Sequence, residues 1–449
     1  MTTTVTQHVP LRLTSDSHHP ITTLSTTPPT ALPLSKYTPT TPLLLAPGPT
    51  EVAPAVLAAL ASPAESHLTL AFAQVFSTVL RQVRRLFLTS SPDSQPFVLG
   101  GSGSLGWDFV ATNFLPTGSP VLCLSTGFFS DAFASCLAAY GQDVTVLRAP
   151  DVGATVDLAE VEAALATGKY KALVATHVET STAVRTNLPA LRALLDRVSP
   201  TTLFIADAVA SLGAEELRFD EWGLDIVLSG SQKAIGCPPG LSLLMVSGRA
   251  MALALDESVT DRPRTWYASL PRWLPVMRKY EAGEPGYFAT PPTQVVRALG
   301  ASLQLMHEVG MERTWELHRV RSAQVKEAAG RLGLRLLAQR EEDQSHAVTA
   351  LWLPEGIEAK ALLARVLARG VTLAAGMHVE VGTRYVRFGH MGYSITGNEG
   401  HIEMGIRALS EALLELYAER REKEVAEQES QPSAGVLEAV RQEVAVADG

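Results

Sequence analysis

Cysteine is scarce in this chain: 449 residues hold three, Cys123, Cys136 and Cys237. Their spacing matches neither a metal-ligand set nor a disulfide framework, which excludes a stapled secreted scaffold and a zinc module and suits a reducing compartment. No uninterrupted apolar run reaches the ~18–20 residues a membrane span needs. Positive charge is not in excess either. Lys and Arg number 37 against 46 Asp and Glu, a net charge of −9, which argues against a nucleic-acid surface. The first forty or so residues lack arginine beyond Arg12 and have only Lys36 as a second base. They are rich in Thr, Ser and Pro, so residues 1–41 are expected to be a flexible leader. A mitochondrial transit peptide would carry more arginine. The last three residues, Ala447-Asp448-Gly449, do not resemble a peroxisomal address. A cytoplasmic or mitochondrial location is the expectation, with a peroxisomal one disfavoured.

What the chain does contain is a long alternation of short apolar runs and amphipathic stretches, the pattern of an α/β protein. The stretch Ser229-Gly230-Ser231-Gln232-Lys233-Ala234-Ile235-Gly236-Cys237-Pro238-Pro239-Gly240 follows a strand-like run, Asp225 to Leu228. A lysine among small residues at the end of a strand is costly to place unless it has a partner or a task. One such task is a covalent imine link to a carbonyl cofactor such as pyridoxal 5'-phosphate (PLP). Upstream, Thr201 to Ile205 reads as a buried strand that delivers Asp207 to its C-terminal end, where open α/β sheets bind ligands. A carboxylate there can keep a pyridine nitrogen protonated; the plainer alternative is a residue that caps the next turn. Pro96 to Leu99 reads as a strand, followed by Gly100-Gly101-Ser102-Gly103-Ser104-Leu105-Gly106 and a helix. That turn exposes N–H groups to an anion. Its spacing is neither a dinucleotide fingerprint nor a P-loop, and it suits a single phosphate monoester.

Pro47-Gly48-Pro49, the Gly101–Gly106 loop, Thr176-His177, Asp207 and Ser231-Gln232-Lys233 together resemble the class V, fold-type I PLP aminotransferases. The likeness is to the alanine–glyoxylate (serine–pyruvate) aminotransferases, their fungal branch in particular, and spans roughly Thr41 to Arg421. It implies a mostly parallel seven-stranded sheet in a large domain with a smaller C-terminal α/β domain. The expected boundaries are 42–300 for the large domain, 301–425 for the small one and 426–449 for a polar tail, in which Leu437 to Val444 forms a short helix.

The resemblance also implies roles. Lys233 carries the cofactor and moves protons, with Gln232 beside it, and Asp207 faces the pyridine nitrogen. Gly103 and Ser104 hold the phosphate; many family members have histidine where this chain has Ser104. Phe129 lies over the cofactor ring, while Phe128 is expected in the core. Thr180 donates to the phenolic oxygen, and His177 lies nearby. Ala183 stands where the family usually has glycine, which alanine tolerates at negative φ. Tyr287 and Thr290 belong to a loop that reaches the phosphate of a partner subunit, implying a homodimer with shared sites. Arg387 holds the substrate α-carboxylate bidentately, and a backbone group at Gly48 assists. Arg384, three positions before Arg387 on a strand, is expected on the opposite face. No metal is implied.

The implied activity is amino transfer from L-alanine to glyoxylate. Serine–pyruvate or serine–glyoxylate transamination is the alternative. A single carboxylate clamp makes aspartate and glutamate poor donors. Desulfurase chemistry needs a mobile cysteine, whereas Cys237 lies in a proline-flanked turn and Cys123 reads as a strand residue. A non-catalytic binding protein on this fold would be expected to lose Lys233, Asp207 or Arg387, and all three are present.

Overall fold

A computed structural model describes residues 41–397 and 399–430. The expected leader, the end of the tail and the helix expected over Leu437 to Val444 lie outside the described residues.

Seven strands build the main sheet: β1 Gln95–Gly100, β2 Pro120–Ser125, β3 Asp143–Arg148, β4 Ala172–Thr176, β5 Leu203–Asp207, β6 Ile226–Gly230 and β7 Leu241–Val246. Their order across the sheet is β1-β7-β6-β5-β4-β2-β3. β7 runs antiparallel to both its neighbours; every other pairing is parallel. Every residue of β4 to β7 is buried, as continuous apolar strands covered on both faces should be. Helix α1, Leu70–Leu86, shows how the cover is made. Thr69 caps it by accepting the Phe72 N–H, and Phe72, Phe76, Val79, Leu80, Val83 and Leu86 form its buried stripe. Each such side chain contributes about 1.5–3 kcal/mol by leaving water.

Two features of this sheet position the site. The register pairs Gly100 with Leu241, Ser242 with Gly230, Leu228 with Asp207, and Asp207 with Thr176. The C-terminal ends of β1, β6, β5 and β4 therefore share one edge, joined there by that of β2. The chain also leaves β2 for β3 on one side and returns to β4 on the other, so the strand order switches between β2 and β4. Ligands bind at such a crevice.

The C-terminal part builds a second sheet from Arg335–Leu336, Val348–Trp352, Tyr385–Gly389 and Ala374–Ala375, in that spatial order and antiparallel throughout. It has its own core around Leu351, Leu362, Val386 and Phe388. Leu43–Leu44 pairs in parallel with Val371–Thr372, and Leu45 joins that same core. Helices Thr293–Val309 and Met311–Arg331 link the two sheets, and the helix from His401 runs to Ser430, past Glu422. Among the described residues no helix is long and apolar enough to cross a membrane.

Ala183 departs from expectation. Its φ is +62°, not negative. Its N–H donates to the Glu179 carbonyl at 2.8 Å, and its own carbonyl accepts from Ser345 at 3.1 Å, so the turn is held at both ends whatever the side chain prefers. A left-handed alanine costs about 1–2 kcal/mol, and the extra chain entropy of an unfolded glycine offsets part of that. Ala183→Gly is therefore expected to stabilise the protein by roughly 0.5–1 kcal/mol, read as a raised thermal midpoint; a lowered midpoint would contradict the strain.

Candidate active site

Lys233 follows β6, in the turn that ends at Pro238-Pro239-Gly240. Ser231 locks that turn: its Oγ donates to the Pro238 carbonyl at 2.7 Å and accepts the Leu241 N–H at 3.3 Å. The Lys233 ammonium donates to the Pro47 carbonyl. Burial, and then the positive charge of Arg387, push its pKa down to about 8, with Asp207 acting in the opposite direction. Gly48 has φ +91°, and a Cβ there would lie 2.6 Å from the lysine Nζ. Only glycine fits between the Pro47–Pro49 turn and the lysine.

Asp207 ends β5 and is 3% exposed. Its Oδ1 accepts the Val209 N–H at 2.9 Å, and its Oδ2 accepts the Trp107 indole N–H at 2.7 Å. Burial raises its pKa to about 6 against the lowering effect of these two bonds. Trp107 stacks on Phe133, with ring centres 5.4 Å apart, which fixes the indole. Sequence reasoning missed Trp107 because it lies 100 residues from its partner; its only signal was a place on the first turn of the helix that the glycine loop opens.

Arg387 is 8% exposed. Its Nε donates to the Ala375 carbonyl at 2.8 Å and its Nη1 to the Thr180 carbonyl at 3.2 Å. Neutral carbonyls orient a guanidinium without cancelling its charge, and burial lowers its pKa. A carboxylate entering this site meets a desolvated, prepositioned cation. Arg384 is elsewhere, exposed and over the Trp352 ring at 5.5 Å.

The remaining candidates fall into two groups. Around the strand ends, Gly103 is so close to Val209 that a Cβ would lie 2.8 Å from it, and the Ser104 and Ser102 hydroxyls are 2.6 Å apart. His177 is buried; its N–H donates to the Asp207 carbonyl at 2.8 Å, its ring stands edge-on to Trp222, and burial lowers its pKa to about 4, so it is neutral. Its Nδ1 and the Gln232 Oε1 are buried without a hydrogen-bond partner. Thr180 is buried beside Arg387. Tyr287 and Thr290 do not join this group within one chain. Tyr287 is 64% exposed with its ring against His67, and Thr290 is exposed.

Phe128 corrects the expectation that it belongs to the core. It begins the helix Phe128–Ala139 and is 44% exposed, whereas Phe129 is half-buried. The helix starts at the sheet edge, so its first side chain is left outside the core. Asp108 is structural, accepting the Tyr140 hydroxyl at 3.0 Å. Burial pushes the Cys123 and Cys237 thiols up to about 12, the opposite of what a cysteine nucleophile needs. Among the described residues no cluster of His, Cys, Asp or Glu could hold a metal ion.

These residues suit a flat, phosphate-bearing aldehyde. A buried carboxylate with no ion pair on it, an amine depressed toward neutrality and a glycine turn lie at neighbouring strand ends, on one edge of the sheet. Trp107→Phe removes one of the two donors to Asp207. Because hydrogen bonds to a carboxylate favour its charged form, the loss raises its pKa by about 1 unit. Difference infrared titration against Asp207→Asn should place the variant's carboxyl midpoint above about 6; an unmoved midpoint would remove the indole from this role.

The comparisons with known proteins agree with this geometry. Residues 46–395 match the family model described as aminotransferase class-V. The chain is 41% identical over 355 residues to "Alanine--glyoxylate aminotransferase 1" of Saccharomyces cerevisiae, covering 78% of this chain and 91% of that protein. It is 31% identical to "L-aspartate--glyoxylate aminotransferase" of Paracoccus denitrificans, covering 77% and 85%. The crystal structure of an alanine–glyoxylate aminotransferase from Nostoc sp. superposes with a TM-score of 0.76 at 28% identity, covering 87% of this chain and all of that one. A matched family model over most of the chain, the seven-stranded sheet and the lysine–aspartate–arginine crevice lead to one assignment: this protein belongs to the class V aminotransferases, PLP-dependent enzymes of fold type I.

Proposed function

We propose that the protein moves the amino group of L-alanine to glyoxylate, giving pyruvate and glycine in two half-reactions at one site. The observation that carries this reading is Arg387, among the described residues the single buried guanidinium, in the crevice that holds Lys233 and Asp207. One clamp holds one carboxylate, and both alanine and glyoxylate have one. Arg384, the nearest alternative, is committed to the Trp352 ring and open to solvent. The name of the yeast relative supports alanine as donor.

When bound, PLP supplies an electron-accepting ring that makes the substrate Cα proton acidic. The chain's residues do the rest. Lys233 would be the covalent anchor and, once displaced by the substrate amine, would be the base placed to take the Cα proton and return it across the substrate nitrogen, two bonds away. A pKa near 8 leaves an appreciable neutral fraction at physiological pH, as a general base requires. Asp207 holds the pyridine nitrogen in its charged form, with Trp107 and the Val209 N–H fixing its rotamer. Gly103 and Ser104 receive the phosphate at the start of a helix. Phe129 would cover the ring, and Thr180, His177 and Gln232 would meet its polar edge. Arg387 and the backbone at Gly48 orient the α-carboxylate. Tyr287 and Thr290, exposed in one chain, complete the phosphate site of a second copy in a homodimer.

Serine is the second reading, favoured by relatives named serine–glyoxylate aminotransferases at 29–30% identity. A site that hydrogen-bonds a hydroxyl can separate serine from alanine strongly. Steady-state kcat/KM should be measured for alanine, serine, aspartate and glutamate, each with glyoxylate and with pyruvate. Alanine with glyoxylate is expected to lead, and the two dicarboxylates to fall at least about tenfold below it. A preference for serine selects the second reading. A preference for aspartate or glutamate overturns the single-clamp argument.

A further inference from the structure

Glu179 is fully buried at 0% exposure and immediately precedes Thr180. Three donors converge on its carboxylate. The Ser181 N–H reaches Oε1 at 3.0 Å and the Ser181 hydroxyl reaches it at 2.7 Å, while the Ser130 N–H reaches Oε2 at 2.9 Å. The Ser130 hydroxyl lies 3.1 Å from Oε2. The serines then pass the contact across the crevice. Ser181 Oγ accepts the Phe128 N–H at 3.0 Å, and Ser130 Oγ accepts those of Thr126 at 3.0 Å and Gly127 at 3.1 Å. Thr182 Oγ1 donates to the Thr126 carbonyl at 3.0 Å. The N–H groups at the start of helix Phe128–Ala139 have no backbone partner in the helix; serine oxygens receive those of Gly127 and Phe128, and Glu179 receives that of Ser130 directly. The approach is tight enough that a Cβ on Gly127 would lie 2.7 Å from the Glu179 Cγ.

Burying a carboxylate is expensive, and such groups are retained where they fix one arrangement among several. The arrangement fixed here is the relation between two loops on either side of the switch point. One follows β2 and carries Phe129; the other follows β4 and carries Thr180. We infer that Glu179 is a positioning residue: through Ser130 and Ser181 it sets the spacing between the side chain that covers the cofactor ring and the hydroxyl that meets the ring's edge. This rests on the reading of Phe129 and Thr180 as cofactor contacts. The negative charge of Glu179 also favours the charged state of Arg387, so the same carboxylate supports the substrate clamp.

The test uses the full-length protein in the variants Ser181→Ala, Glu179→Gln, Phe129→Ala and Thr180→Ala, with Ser135→Ala on the outer part of the same helix as a control. Pyridoxamine phosphate affinity and, on protein loaded with PLP, visible circular dichroism per bound cofactor are measured, with far-ultraviolet dichroism to confirm folding. Ser181→Ala and Glu179→Gln are each expected to weaken binding by about tenfold and to reduce the induced visible signal, while Ser135→Ala changes neither. If Glu179→Gln does not fold, Ser181→Ala alone decides. Weakened binding in Phe129→Ala and Thr180→Ala but unchanged binding and dichroism in Ser181→Ala overturns the inference and leaves the site reading intact. Unchanged binding in Phe129→Ala and Thr180→Ala defeats the site reading, and the inference with it.

Discussion

Arg387 and Asp207 are buried and Lys233 half-buried in a single crevice, and none of the three is neutralised by a direct ion pair among the described residues. Lys233 donates to a carbonyl, Arg387 to two carbonyls, and Asp207 accepts from an indole and a backbone N–H. Removing charges from water without pairing them is costly, and the pKa shifts show the cost: Lys233 and Arg387 are pushed down and Asp207 up, each chiefly by burial. The architecture must supply that energy. Continuous apolar strands and their helical cover provide it, and the shared register brings the strand ends to one edge.

The same cost makes the crevice reactive toward a suitable guest. On the proposed reading, a zwitterionic amino acid and a phosphorylated pyridine would bring a carboxylate for Arg387, a ring nitrogen for Asp207 and a carbonyl for Lys233. The groups are oriented before the guests arrive, because backbone carbonyls and Trp107 hold them. Preorientation of this kind lowers the reorganisation needed during reaction. The second sheet matters for the same reason: it supplies Arg387 from its Tyr385–Gly389 strand, while Tyr385 donates to the Ser181 carbonyl at 2.7 Å and so ties that strand to the loop after β4.

Much of this was legible in the sequence, and the pattern of success is physical. Lys233 and Asp207 could be read because each follows a short apolar strand and is surrounded by small residues, a local signature. The strands of the main sheet could be read because most are continuous buried apolar runs, the antiparallel β7 among them. Arg387 could be placed by its strand; Arg384, expected on the opposite face of that strand, lies instead in the 3-10 turn Gly382–Arg384 that precedes it. What could not be read was pairing at a distance. Trp107 with Asp207, and Glu179 with Ser130, are contacts across 100 and 49 positions, with no local trace. Phe128 and Phe129 have equal hydrophobicity, and only the point where the helix leaves the sheet edge decides which is exposed. Ala183 was misjudged because a local turn bond to Glu179 and a tertiary bond from Ser345 together impose a φ that its side chain disfavours.

The account's central claim is that Lys233 is the nucleophile of this crevice. A competitor exists in the same chain: Lys326 is also pushed down to about 8 by burial, but it lies beside Glu215 rather than Asp207. Loading the protein with PLP, reducing it with borohydride and mapping the labelled peptide separates the two. The pyridoxyl group is expected on Lys233; a label on Lys326 or another lysine, or none on fully loaded protein, would contradict the account.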